Sequence, residues 1–132
     1  MVKLRLRRKG KAHYPVYDVV AVDSRKKRDS DFIERLGYYN PNTSPTTINI
    51  NPDRAIYWLN VGAQPSDVVR SLLSYEGILL KRTLQFKGKT EEEIASEVEK
   101  HKVTVLARYR RRKDLRKKRE AAKAKQEEKA AE

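Results

Sequence analysis

Residues 2–22 read VKLRLRRKGKAHYPVYDVVAV, and this stretch carries the strongest structural pattern in the chain. Val2, Leu4 and Leu6 alternate with basic residues, and a period of two predicts a strand with one core face and one cationic face. In residues 14–22 the apolar side chains fall on both parities, which predicts a second, central strand that is covered on both faces. Residues 9–11, Lys-Gly-Lys, predict the turn that connects the two strands.

Two further strands are expected downstream of this hairpin. Residues 32–39 and 46–50 are rich in β-branched and aromatic side chains, and Asn40-Pro41-Asn42 interrupts them. The four segments together predict a small mixed or antiparallel sheet.

Helix signals follow the strands. Asn51-Pro52-Asp53 supplies a side-chain cap, a proline in the first turn and an acid at the positive end of the helix dipole, and Gly62 closes this helix. Pro65-Ser66-Asp67 begins a second helix, which Gly77 closes. Strands first and helices afterwards predict an α+β fold with two short helices packed on one face of the sheet.

Charge divides the chain into two parts. The 132 residues contain 31 Lys and Arg against 18 acidic residues, a net charge of +13. Residues 1–80 are expected to form the folded core, and residues 81–132 a charged C-terminal extension that carries +8 of this charge. Such a balance predicts attraction to a polyanion, either nucleic acid or an anionic membrane surface. The chain has no cysteine, which excludes disulfides and thiolate metal sites.

The extension is expected to be partly helical. Thr90-Glu91-Glu92-Glu93 is a capping-box pattern that predicts a third helix. Residues 108–119 hold nine basic residues and one acid, with almost nothing to bury. Helix propensity is high there, so we expect a basic extension that is helical or disordered, with the chain beyond Arg108 frayed until it meets a partner.

Two basic clusters with nearby aromatic side chains favour nucleic-acid binding. Cations neutralise phosphates, and aromatic rings stack on unpaired bases. The first cluster lies on the first strand and its turn and comprises Arg5, Arg7, Arg8, Lys9 and Lys11. The second lies in the loop after the second strand and comprises Arg25, Lys26, Lys27 and Arg28. Polar aromatic residues lie close to both clusters in the sequence: His13, Tyr14, Tyr17, Tyr38 and Tyr39.

Other functional classes have weaker support. A magnesium-dependent nuclease would have to use Asp18, Asp23, Asp29 or Asp31, yet three of these flank the Arg25–Arg28 block, where ion pairs and turn caps are the simpler reading. A membrane-binding helix in the extension would lack the Trp, Phe and Leu of an apolar face. A generic DNA- or RNA-binding module would have the same charge pattern. We expect no catalytic residues, no metal ion, no cofactor and no small-molecule substrate.

Several motifs, in order, resemble those of the bacterial small-subunit ribosomal protein 16 family. They are VKLRLRRKGK (2–11), DSR (23–25), FIERLGYYNP (32–41), RAIYWL (54–59) and VGAQPSD (61–67), and the resemblance covers residues 2 to about 80. It implies an α+β protein that binds the 5′ domain of small-subunit ribosomal RNA (rRNA) and helps it to fold. The implied contact surface comprises Arg5, Arg8, Lys9, Lys11, His13, Tyr14 and Arg25–Arg28, with Tyr38, Tyr39 and Asn40 nearby.

Three residues depart from the family pattern. Arg7 stands in place of a small residue, Asp18 in place of a basic one and Ser30 in place of a glycine. We expect Arg7 either to add a cation facing RNA or to distort the first turn, the strand face at Asp18 to contact less phosphate, and Ser30 to change the conformation of its loop.

The expected partners are small-subunit rRNA and neighbouring small-subunit proteins, with no membrane and no homo-oligomer. As a hypothesis, residues 108–119 thread along rRNA, which would add Arg108, Arg110, Arg111 and Arg112 to the contacts. The start of the chain has a basic flank with no hydrophobic segment behind it, so we expect a cytoplasmic, ribosomal location. The absence of a transit peptide favours a bacterial over an organellar source.

Overall fold

A five-stranded mixed sheet forms the centre of the protein, for which the computed structural model describes residues 1–131. The strands are β1 (Val2–Lys11), β2 (Tyr14–Asp23), β3 (Glu34–Asn40), β4 (Thr47–Ile50) and β5 (Gln64–Pro65). Their spatial order is β4-β3-β2-β1-β5, in which β5 pairs in parallel with β1 and all other pairs are antiparallel. The expected mixed sheet is confirmed, although β5 is too short for periodicity to reveal it.

The hairpin turn lies two residues beyond the predicted position. Lys11 pairs with Tyr14, so the turn consists of Ala12 and His13, and Gly10 is part of β1. Gly10 adopts a φ of +91°, and a Cβ atom there would lie 2.5 Å from the Tyr14 carbonyl oxygen. The glycine is therefore needed where the two strands approach each other closely.

The predicted central position of β2 is confirmed. Its residues Asp18–Val22 are all buried, between β1 and β3. β3 starts two residues later than predicted, at Glu34, because Phe32 and Ile33 belong to the β2–β3 loop (residues 24–33). A register shift between Val19 and Val20 accommodates an additional β3 residue there.

Three short helices cover one face of the sheet: α1 (Pro52–Val61), α2 (Asp67–Tyr75) and α3 (Ile78–Phe86). The predicted caps of α1 are confirmed, since the Asn51 side chain accepts hydrogen bonds from two backbone N–H groups and Gly62 adopts the left-handed conformation. The core joins sheet residues such as Leu4 and Val19 to helix residues such as Leu73. α3 was not predicted. Gly77, with a φ of +76°, ends α2 and lets α3 begin at once.

Most of the charged extension forms one long helix, α4 (Glu91–Ala131), while its first residues, 81–86, complete α3. Ile94 is the buried apolar contact of α4. The expectation of a frayed chain beyond Arg108 differs from the structure, in which helix continues to Ala131. Alanine, lysine and glutamate have high helix propensity, and the pairs Arg116–Glu120 and Lys123–Glu127 lie at the supporting i, i+4 spacing. Among residues 1–131, no helix combines the length and the apolar character of a membrane span.

Candidate nucleic-acid interface

The sheet face opposite the helices, here called the outer face, is cationic. The pairs Leu4–Ala21 and Leu6–Val19 place the apolar residues of β1 and β2 on the helix side. Because strand side chains alternate, the other side receives the basic residues of β1, which are Lys3, Arg5, Arg7, Lys9 and Lys11. The predicted two-faced character of β1 is therefore confirmed.

Arg5 and Arg7 contact the β2–β3 loop, which approaches the outer face. The guanidinium of Arg5 donates hydrogen bonds to the Lys26 and Ser24 carbonyl oxygens, each at 3.2 Å. The guanidinium carbon of Arg7 lies 5.3 Å from the centre of the Phe32 ring, which is a cation–π distance. Both side chains are partly buried. These two predicted RNA contacts thus fasten the loop that carries the second basic cluster.

Asp18 neutralises part of the outer face. Its Oδ1 atom lies 2.9 Å from Lys9 Nζ and 2.9 Å from Arg35 Nε, and the residue is only 7% exposed. One buried carboxylate therefore holds two half-exposed cations in fixed positions. Lys9 was among the predicted contacts, and its charge here is shared with an acid.

The exposed cations gather where the hairpin turns, a region called here the hairpin end (residues 8–15). Arg8, Lys11, His13 and Tyr14 are all exposed in it, and Arg8 donates to the Ala12 carbonyl oxygen at 3.0 Å. Residues 8–12 line an open groove of about 300 Å³ together with Arg28 and Asp29 of the β2–β3 loop.

The β2–β3 loop supplies the second predicted cluster to this region. Arg25, Lys26, Lys27 and Arg28 are exposed, and Arg28 pairs with Asp29 at 3.3 Å. Since Arg28 reaches the groove beside the turn, the structure brings the two basic clusters together, although they are separated along the chain.

Three other predicted residues, Tyr38, Tyr39 and Asn40, are the last residues of β3 and lie close to the hairpin end. Tyr39 stacks on Tyr17 with ring centres 6.1 Å apart, and Tyr38 lies opposite Asp18 on the outer face. The Asn40 side chain accepts from the Asn42 backbone N–H at 3.0 Å. Both tyrosines of β3 are half-buried: Tyr38 lies on the cationic outer face, whereas Tyr39 packs against the core on the helix side.

The β3–β4 loop (residues 41–46) links the hairpin end to α4. Asn42 Nδ2 donates to the Pro15 carbonyl oxygen at 2.7 Å, which joins the loop to β2. Ser44 Oγ lies 2.9 Å from Tyr109 Oη and 3.3 Å from Lys113 Nζ, both on α4. The basic part of α4 therefore leaves the folded core beside the hairpin end.

The basic residues of this part of α4 are exposed. Arg112 donates to the Tyr75 hydroxyl at 3.4 Å, while Arg108, Arg110 and Arg111 are open to solvent. We call residues 108–131 the basic arm.

Three of the four carboxylates considered for a nuclease site, Asp18, Asp23 and Asp29, have structural partners. Asp18 binds Lys9 and Arg35, and Asp29 pairs with Arg28. The Asp23 side chain accepts from the Arg25 backbone N–H at 3.0 Å, and this hydrogen bond lowers the pKa of Asp23. Within residues 1–131 there is no group of three or more His, Asp or Glu side chains arranged to hold a metal ion.

An ion pair on the helix side joins β3 to α1. Arg54 donates to both oxygens of Glu34, at 2.7 and 2.6 Å, and Trp58 Nε1 donates to Glu34 at 2.8 Å. The bonds from Arg54, followed by that from Trp58, lower the pKa of Glu34. This cluster lies away from the cationic surface and holds the first helix against the sheet.

Sequence reasoning missed Arg35 and Ser44. Arg35 could have been found by extending the strand alternation into β3, with Asp18 as the acid between two cations. The Ser44–Tyr109 contact joins residues 65 positions apart, and no sequence pattern pairs the segment around Ser44 with the basic residues 108–119.

Comparisons with known proteins agree with the resemblance of the motifs. The family model for Ribosomal protein S16 matches residues 8–66. The small ribosomal subunit protein bS16 of Chlorobium phaeobacteroides is 43% identical over 131 residues, which cover 99% of this chain and 97% of the relative. The bS16 of Chloroherpeton thalassium is 43% identical over 134 residues, covering 98% and 99%.

A further relative matches a shorter part of the chain. The bS16 of Azobacteroides pseudotrichonymphae is 57% identical over 82 residues, which are 62% of this chain and 50% of that protein. The match to the first two relatives, by contrast, extends through the region of α4.

Proposed function

The chain belongs to the ribosomal protein S16 family, and from this membership we propose that it is a structural constituent of the small ribosomal subunit. In this proposal it binds the 5′ domain of small-subunit rRNA and supports folding of that domain during assembly. Its location is the ribosome, where neighbouring small-subunit proteins are its other partners. The relatives are named as small-subunit proteins, which supports the assignment to the small ribosomal subunit.

The observation that carries the RNA-binding proposal is the convergence of cations from the hairpin end and the β2–β3 loop, which share the groove beside Arg28. Arg8 and Lys11 lie on one strand, and Lys26 and Lys27 lie on the loop that Arg5 fastens to that strand. None of these four makes an ion pair with an acid among residues 1–131. Exposed cations on this hairpin and on the loop fastened to it form a site for crowded phosphates.

Binding at this site would favour RNA folding through charge neutralisation. Where RNA helices approach each other, their phosphates repel, and cations already held in place lower that repulsion without first losing much conformational entropy. The buried Asp18 contributes by fixing Lys9 and Arg35 beside the exposed cations. The proposed activity is binding, and it requires no chemical step.

Recognition is expected to depend on RNA shape and phosphate positions. The major groove of duplex RNA is too deep and narrow for side chains to read its bases. Tyr14 and His13 are exposed at the turn, where a ring can stack on an unpaired base. Specificity for one rRNA domain would then come from the arrangement of its helices.

Equilibrium binding across a salt series tests this proposal. The full chain is titrated with the 5′ domain of small-subunit rRNA and with a structured RNA of equal length, between about 50 and 300 mM monovalent salt. We expect both affinities to fall with salt and the rRNA domain to bind at least about tenfold more tightly near 150 mM, a preference of about 1.4 kcal/mol. Equal affinities at every salt concentration would refute the ribosomal assignment.

A further inference from the structure

α4 is attached to the core at two separate places. Near its start, Ile94 is buried and His101 Nε2 lies 2.8 Å from the Ser74 carbonyl oxygen, at the end of α2. Further along, Tyr109 and Lys113 contact Ser44, and Arg112 contacts Tyr75. Residues 114–131 make no hydrogen bond to the rest of the described chain. The second attachment is therefore the last one before the free part of the basic arm.

This second attachment is polar and connects directly to the hairpin end. Ser44 belongs to the β3–β4 loop, whose Asn42 donates to the Pro15 carbonyl oxygen at 2.7 Å. The Thr43 hydroxyl, 2.8 Å from that of Thr47, ties the same loop to β4. The chain of contacts runs from α4 through the loop to the hairpin, so the arm is held by the same structure that presents Arg8 and Lys11.

The attachment controls where the arm cations lie. A helix rises about 1.5 Å per residue, so Ala122 lies about 30 Å beyond His101 along the axis. If the helix pivoted at His101 by about 10°, Ala122 would move by about 5 Å, comparable to the spacing of successive phosphates in a strand. A second fixed point at Tyr109, about 12 Å beyond His101, opposes that pivot.

We propose that Ser44 and Tyr109 are positioning residues, which hold the basic arm beside the hairpin end so that both bind RNA as one surface. The inference rests on the proposed RNA-binding function and deepens it. The arm supplies cations such as Arg110 and Arg111, and the Ser44–Tyr109 contact determines where they meet the phosphates. Binding through two parts that are already in place avoids the entropy of ordering one of them.

The position of the arm is measured first, without RNA. Because the chain has no cysteine, the substitutions Ala12→Cys and Ala122→Cys allow two nitroxide labels to be attached selectively. Pulsed electron spin resonance then gives the distance distribution between the hairpin end and the arm. We expect a narrow distribution in the otherwise unchanged chain and a broad one when Ser44→Ala and Tyr109→Phe are added. Equal widths in the two proteins would overturn the positioning role.

A matched control removes the same chemical groups elsewhere. Ser71→Ala and Tyr57→Phe delete one serine and one tyrosine hydroxyl at exposed positions on α2 and α1, outside the attachment. The control pair should leave the distance distribution narrow. Broadening in the control pair as well would show that the effect is general loosening, and the proposal would fail.

RNA affinity is measured second, in a double-mutant cycle on the full chain. One hydrogen bond changes an equilibrium by about two- to tenfold, so Ser44→Ala with Tyr109→Phe should weaken binding to the rRNA domain by about three- to tenfold. The same pair should have no effect after the arm is neutralised by glutamine at its exposed cations, Arg110, Arg111, Lys117 and Lys118.

The two measurements fail separately. If the loss of affinity persists in the neutralised background, Ser44 and Tyr109 act on RNA or on stability directly, and the positioning role is refuted. If the distance distribution behaves as expected but the rRNA domain and the control RNA bind equally, the ribosomal function fails while the attachment of the arm stands.

Discussion

Removing exposed cations of the hairpin end and of the β2–β3 loop should flatten the salt dependence of RNA binding. The variant replaces Arg8, Lys11, Lys26 and Lys27 by glutamine, four residues that the structure leaves exposed and free of an acidic partner among residues 1–131. Each phosphate contact contributes about −0.7 to −0.9 to the slope of log K against log salt, so four contacts contribute about −3. Over a fourfold rise in salt, from about 50 to 200 mM, the unchanged protein should lose about 50- to 150-fold more affinity than the variant.

A second variant with the same net charge distinguishes the effect of this particular surface on RNA binding from the effect of the total charge. Arg70, Lys87, Lys89 and Lys102 are exposed on α2, on the α3–α4 connection and on the first half of α4. Replacing them by glutamine also lowers the net charge by four. We expect this control to keep nearly the full salt slope on the 5′ domain of rRNA, measured by fluorescence anisotropy or filter binding.

The reasoning is refuted if both variants flatten the slope equally. In that case the RNA would respond to total charge, and no particular surface would be assigned. If only the first variant has a flattened slope, and its circular dichroism spectrum is unchanged, the bound phosphates lie at the hairpin end and the β2–β3 loop. Both variants keep every buried residue, so a loss of folding is not expected to confuse the result.

Three further predictions concern stability, each read from urea denaturation. Gly10→Ala should destabilise the protein by about 2–3 kcal/mol, because its φ of +91° and its contact with the Tyr14 carbonyl oxygen leave no room for a Cβ atom. Glu34→Gln should destabilise at pH 7 and progressively less toward pH 3. Arg54 holds the pKa of Glu34 below its usual range, so the stability this carboxylate contributes is present above about pH 4.3 and is lost as the pH falls through the lowered value. Glu76→Gln should have the opposite sign and stabilise at pH 7, because burial raises the pKa of Glu76 and the cost of its charge disappears only in acid.

The alternation of residues 2–22 was sufficient to predict the most important part of the fold. Periodicity two identifies which face of β1 is apolar, and apolar residues on both parities identify β2 as central. It does not identify where the strands turn. Gly10 looks like a turn residue from composition alone, yet it is required by close approach of the paired backbones. Such a requirement exists only once the register of the pair is known.

The sequence predicts a helix where it contains recognisable capping residues, and it does not predict the others. Asn51 and Gly62 bracket α1 as expected. α3 has no side-chain cap, because it begins immediately after Gly77, and its apolar residues look like the end of the preceding segment. The sequence left two states open for the basic arm, helical or disordered, and the structure shows the helical one. The contacts to Ser44 that hold the start of the arm depend on the fold and could not be predicted from the sequence.

The number of basic residues in the sequence exceeds the number of cations that are free to bind phosphate. Arg5 and Arg7 hold a loop, and Lys9 shares the buried carboxylate of Asp18. These partners depend on strand register and loop path, which no count of basic residues contains.

The fold brings the cations that remain free close together, which compensates for those that are engaged by protein partners. The turn of one hairpin, the tip of the β2–β3 loop and the start of the basic arm lie far apart in sequence, yet hydrogen bonds through Asn42 and Ser44 and the groove beside Arg28 bring them to one end of the sheet. Phosphates respond to local charge density within about a Debye length, roughly 8 Å at physiological salt. A smaller number of cations concentrated at one end can therefore bind folded RNA more tightly than the full net charge spread evenly over the surface.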